Sequence, residues 1–85
     1  IRQPLKMDFN AGKEQIQKVF SDNGFVLVEQ KDNEMIFRMS SPLRRTLALW
    51  EDRIVVSATD GGIEMEGMRK EVARIEFRLQ PFLQD

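Results

Sequence analysis

The stretch Asp60–Ile75, DGGIEMEGMRKEVARI, places a turn, a strand and a helix in series. Asp60-Gly61 predicts a two-residue type I′ hairpin turn, because that turn needs positive φ at both positions and Asp-Gly tolerates it. The alternation of the next residues predicts a strand over Gly62–Glu66 with its two large apolar side chains inward. A helix over residues 68–80 follows, because apolar residues recur at helical spacing. The buried stripe of this helix is expected to consist of Met68, Val72, Ile75 and Leu79.

The glycine spacing of this stretch also matches part of a phosphate-binding loop. Gly62 and Gly67 satisfy G-x-x-x-x-G, but such a loop continues with Lys and Ser or Thr, whereas Met68-Arg69 follows here. Two carboxylates, Glu64 and Glu66, stand between the glycines, where they would repel phosphate oxygens. We therefore interpret the stretch as a structural unit that closes the fold.

The sequence upstream of this unit predicts one helix and four more strands. Asn10 is the expected N-cap of the helix, and Asn23-Gly24 is expected to end it. Turn residues too few for parallel crossovers separate the strands, so we expect them to pair as an antiparallel meander. The four expected strands are Phe25–Gln30, Glu34–Met39, Arg45–Trp50 and Ile54–Thr59.

These elements define an expected fold of the α+β class. We expect a two-layer αβ(5)α sandwich, in which the N-terminal and C-terminal helices pack on one face of a five-stranded antiparallel meander. Residues 1–9 are expected to be a lead-in or linker, because they carry Pro4 and no clear periodicity. Residues 10–85 are expected to form a single α+β domain.

Composition argues against several kinds of chemistry. The chain of 85 residues has no Cys, no His and no Tyr, and its formal net charge is −1. The commonest general base, the commonest metal ligands and the usual catalytic triads are therefore absent. We expect a protein that is not an enzyme, with no catalytic residue, no cofactor, no metal and no specific nucleic-acid target.

One helix face is the best candidate for an interaction surface. On the second helix Phe77 is expected to point away from the buried stripe, beside Ala73 and Lys70. Lys70, Arg74 and Arg78 follow one another at i+4 and form a basic ridge, which a pair between Glu71 and Arg74 would dilute. Mixed charges of this kind usually make a solvated helix face. Trp50, at the end of an expected strand, is a core residue, an edge cover or an interface anchor.

Three functions are compatible with this sequence. The leading hypothesis is a non-enzymatic interaction or scaffolding module in the cytoplasm, whose partner is a second copy or another protein. The first alternative is the cytosolic soluble domain of a small membrane protein, with a transmembrane segment upstream of Ile1 and with Arg2 and Lys6 close to the membrane. The second alternative is a weak anion or ligand binder that uses the basic ridge or the Glu64 and Glu66 pair.

Overall fold

The structure, a computed structural model, describes residues 1–41 and 53–83. Within these ranges the chain forms one antiparallel sheet of five strands and two α-helices, which is the α+β class predicted from the sequence. A short 3-10 helix, Gln80–Phe82, follows the second α-helix. In chain order the elements are β1 Arg2–Leu5, α1 Lys13–Asp22, β2 Phe25–Lys31, β3 Glu34–Met39, β4 Arg53–Thr59, β5 Gly62–Glu66 and α2 Arg69–Leu79.

The strands lie in the sheet in the order β1-β5-β4-β3-β2. The expected αβ(5)α order of elements along the chain is corrected, because one strand comes before the first helix. Strand β1 precedes the first helix and pairs with β5 at the sheet edge, with Arg2 opposite Glu66 and Leu5 opposite Ile63. We expected residues 1–9 to be a lead-in or linker. Four residues with a proline show too little alternation to be recognised as a strand, and the partner that completes the ladder is remote in sequence.

The predicted antiparallel meander holds for β2 to β5. The strand expected at Arg45–Trp50 lies outside the described residues. Strands β3 and β4 are direct neighbours, with Ile36 opposite Val55, whereas the expected order had Arg45–Trp50 between them. The remaining expected strands agree with the structure to within one residue at each end.

Helix α1 begins two residues later than expected, at Lys13 and not at Ala11. Gly12 is its N-cap residue and contributes no side-chain cap, so the prediction that Asn10 caps the helix was wrong. The carboxylate of Asp8 accepts a hydrogen bond of 2.6 Å from the backbone N–H of Ala11. This bond stabilises the turn that leads into α1. At the other end the prediction is confirmed, because the helix ends at Asp22 and Gly24 adopts a left-handed φ of 84°.

The β4–β5 turn also differs from the prediction in one respect. Thr59 pairs with Gly62 across the expected two-residue loop, but the positive φ of 151° belongs to Gly62 and not to Gly61, so the type I′ geometry predicted for Asp60-Gly61 was wrong. Strand β1 also approaches Gly62 closely, because a Cβ on Gly62 would collide with the carbonyl of Leu5. The edge strand that the sequence did not reveal therefore adds a second constraint on this glycine.

Buried residues from the strands and helices form one hydrophobic cluster. In β3, β4 and β5 every second residue contributes, β1 contributes Leu5 and β2 contributes Phe25. Helix α2 contributes the expected stripe except for Met68, which is only half-buried. The ring of Phe20 stacks on Phe37 with a centroid distance of 4.0 Å, and it meets Phe25 edge-on at 5.5 Å. The cluster consists of Leu5, Met7, Phe9, Ile16, Val19, Phe20, Phe25, Met35, Phe37, Met39, Ile54, Val56, Ile63, Met65, Val72, Ile75 and Leu79.

Candidate protein-interaction surface

Helix α2 has a clearly defined buried side, and the helical geometry then determines which residues face away from it. Val72, Ile75 and Leu79 are completely buried. At about 100° per residue, Phe77 is directed away from these three side chains. Its ring is 70% exposed, the largest exposed fraction among the large apolar side chains of the described residues.

We define the α2 outward face as Lys70, Ala73, Arg74, Phe77 and Arg78, all of which are exposed. Ala73 precedes Phe77 by one helical turn, so a small side chain stands beside the exposed ring. Lys70 precedes Phe77 by about two turns, or about 10 Å along the axis, and Arg78 directly follows it. The structure thus brings together five of the six residues that we predicted for an interaction surface. The sixth, Trp50, lies outside the described residues.

Arg74 differs from the other basic residues of this face because its guanidinium already has partners. Its Nη2 donates to the carboxylate of Glu71 at 2.6 Å and to the backbone carbonyl of Asn23 at 3.3 Å. Its guanidinium carbon lies 6.0 Å from the centroid of the Phe25 ring, within the range of a cation–π contact. Arg74 therefore connects α2 with the end of α1 and the start of β2. We assign it a structural role.

Lys70 and Arg78 are exposed and form no ion pair with any residue that the structure describes, and the same holds for neighbouring Arg69. Helix α2 contains four basic residues and two carboxylates, so its formal charge is +2, whereas the whole chain carries −1. Of the two carboxylates, Glu71 is only 7% exposed and bound to Arg74. The α2 outward face is therefore a local basic surface on a slightly acidic protein.

A second exposed aromatic residue, Phe82, was not singled out by the sequence. It is 44% exposed and lies between two depressions along the flank of α1. Phe82 follows Pro81 just after α2, and nothing local in the sequence shows that α1 runs beside it. One depression is lined by Lys18, Val19, Asp22, Asn23, Arg78 and Phe82, and the other by Met7, Asp8, Ala11, Gly12, Gln15 and Phe82.

The sheet residues that alternate with the core form a mixed surface. Val26 and Val28 are exposed, and Ile36 and Val55 are half-buried. Charged pairs lie at both edges of the sheet. At the β1 edge Arg2 donates to Glu66 at 3.0 Å, and at the β2 edge the ammonium group of Lys31 lies 3.9 Å from the carboxylates of Glu29 and Glu34. The hydrogen bond to Glu66, with the negative charges of Glu66 and Glu64, raises the pKa of Arg2.

Glu64 and Glu66, the pair that we considered for ligand binding, both interact electrostatically with Arg2, and Glu66 also accepts its hydrogen bond. Within residues 1–41 and 53–83 there is no group of three or more His, Cys, Asp or Glu side chains that could hold a metal ion. No helix in the described ranges has both the length and the apolar character needed to cross a membrane. The alternative that the domain lies beside a membrane, through a segment upstream of Ile1, stays a prediction.

A scan against protein-family models, a search of curated proteins and a search of solved structures each give no significant match to this chain.

Proposed function

We propose that this protein is a non-enzymatic interaction module that binds another protein through the α2 outward face. The observation that carries the proposal is Phe77, a ring 70% exposed on a helix whose opposite side is completely buried. A large aromatic side chain held in water gains free energy when a partner covers it, about 1.5 to 3 kcal/mol for full burial. Aromatic and arginine side chains are also the residues that most often dominate binding at protein interfaces.

The packing of α2 supports this role because it makes the outward face rigid. The helix is anchored by three completely buried side chains on one side and by the contacts of Arg74 with Glu71 and Asn23 on another. Because the backbone that carries the ring is already ordered, binding requires no ordering of this segment, which would otherwise be a cost of association. Ala73 leaves room for a partner to approach the ring from one side.

The proposal includes the finer architecture predicted from the sequence, with both helices on one face of the sheet. In support of it, the buried residues of α1 and α2 join a single cluster with one alternating set of strand residues. Arg74 of α2 also reaches Asn23, the C-cap residue of α1. In such a two-layer domain the α2 outward face is the outer surface of the helical layer.

Affinity capture with three versions of the protein tests the function. Wild type, Phe77→Ser and Val28→Ser would be immobilised at equal amounts, with circular dichroism to confirm that each is folded. Val28→Ser is the control, because it removes an exposed apolar side chain of β2 that is not part of the α2 outward face. We expect a protein retained by wild type and by Val28→Ser and lost with Phe77→Ser. If no protein is retained, or if Phe77→Ser retains the same protein equally well, the proposal is wrong.

A further inference from the structure

We infer that the partner of the α2 outward face is an acidic protein segment that places an apolar pocket over Phe77 and carboxylates beside Lys70 and Arg78. The inference rests on the proposed function and names its partner class. The acidic character of the partner is inferred from the positive charges of the α2 outward face. Lys70, Arg78 and Arg69 have no carboxylate partner among the described residues, while the two carboxylates of α2 are buried or half-buried. A partner segment with carboxylates would supply the missing negative charge at this surface.

The same charges argue against a second copy of this chain as the partner. A two-fold symmetric contact places one surface against an identical surface. Two α2 outward faces would bring Lys70, Arg74 and Arg78 of one copy against the same three cations of the other. Like charges brought together during binding oppose association. Glu71 offers little relief, because it is buried and its carboxylate already accepts a hydrogen bond from Arg74.

An anionic membrane surface fits the face less well than an acidic protein segment does. A helix that lies in a membrane surface immerses a broad apolar side. The apolar side of α2 is already in the protein core, and Phe77 and Ala73 are the apolar residues that its outward face retains. A single ring next to flanking cations matches an apolar pocket with carboxylates in its rim, because protein interfaces combine an apolar centre with a polar rim.

The geometry of α2 defines the probe for the test. Lys70 and Arg78 are eight residues apart, which is about 12 Å along the helix axis, and Phe77 lies close to Arg78. A partner helix therefore needs carboxylates about two turns apart with leucines between them. We would use a synthetic amphipathic helical peptide with leucines along one side and flanking glutamates at this spacing. Its matched control is the same peptide with every Glu replaced by Gln.

Binding would be measured by titrating each peptide into ¹⁵N-labelled protein and following the backbone amide shifts. We expect the Glu peptide to shift residues 70–78 and to bind at least about tenfold more tightly than the Gln peptide, a difference of about 1.4 kcal/mol. Arg78→Glu should weaken the Glu peptide about tenfold, and Lys6→Glu, an exposed charge reversal outside α2, should leave it within about twofold. Raising the salt concentration should weaken the Glu peptide and leave the Gln peptide unchanged.

Four results would overturn the inference. The first is equal binding of the Glu and Gln peptides, and the second is an absence of shifts in residues 70–78. The third is sedimentation of wild type as a dimer that Phe77→Ser abolishes, which would make the second copy the partner. The fourth is co-sedimentation with phosphatidylserine vesicles together with no binding of the Glu peptide. None of these results contradicts the proposed function unless the capture experiment with Phe77→Ser also fails.

Discussion

Replacement of Gly62 by Ala should weaken the fold far more than the same change at Gly61, the glycine directly before it. Gly62 has a φ of 151°, a conformation that residues with a side chain rarely adopt. An added Cβ would also collide with the Leu5 carbonyl and lie 3.1 Å from the backbone nitrogen of Met7. Both contacts are with backbone atoms, so no side-chain rotation can relieve them. At Gly61 the added Cβ has no atom within 4 Å.

The magnitude follows from two contributions. An unfavourable φ for alanine costs about 1 to 3 kcal/mol. Displacement of β1 would in addition expose part of Leu5, which is now buried in the core, at a cost of about 1 kcal/mol. We therefore expect Gly62→Ala to lower the free energy of unfolding by about 2 to 4 kcal/mol. For a domain of this size that corresponds to a fall in Tm of at least about 8 °C.

Urea unfolding followed by circular dichroism would measure both variants. Gly61→Ala should stay within about 0.5 kcal/mol of wild type or gain slightly, because alanine restricts the unfolded chain. Amide hydrogen exchange should show that Gly62→Ala loses protection first in β1 and β5. Equal stability of the two variants would refute the reasoning. So would a loss of stability in Gly62→Ala that leaves the β1 amides fully protected.

Two further predictions concern the core and the anchoring of α2. Phe37→Ala should lower the free energy of unfolding by about 3 to 5 kcal/mol, because it removes a buried ring stacked on Phe20, whereas Phe77→Ala should change it by less than about 1 kcal/mol. Urea unfolding would measure both, and similar losses would contradict the assigned burial. Arg74→Ala should cost about 1 to 2 kcal/mol through the lost hydrogen bonds to Glu71 and Asn23, while Arg69→Ala should remain within about 0.5 kcal/mol. Thermal unfolding of the pair would test this, and equal Tm values would show that the Arg74 contacts contribute nothing.

Local features of this chain could be predicted from its sequence because their causes are local. The alternation around Met35 and Phe37 reveals a strand with one buried face, and Gly24 marks the helix exit through its own backbone freedom. The outward direction of Phe77 follows in the same way from helical spacing within α2. The pair of Glu71 and Arg74, three residues apart, was also predicted correctly.

Features that depend on distant parts of the chain could not be predicted. Strand β1 exists because β5 offers it an edge, and Arg2 and Glu66 are 64 positions apart. The constraint on Gly62 and the position of Phe82 beside α1 arise from similarly remote contacts. For the candidate site, the sequence identified which residues share a face. It did not reveal that Arg74 is engaged with Asn23, 51 positions away, and is therefore less available to a partner than Lys70 and Arg78.

The register of β2 has a consequence for how the protein behaves when it is concentrated. Between Leu27 and Glu29 the pairing with β3 shifts, so that Val28 has no residue opposite it. An extra residue of this kind increases the local twist and interrupts the regular spacing of backbone groups that an incoming strand would copy. At the other margin of the sheet, β1 carries Pro4, which has no N–H to donate. Both margins thus resist fibril-like growth by strand addition, even though β2 exposes two valines to water.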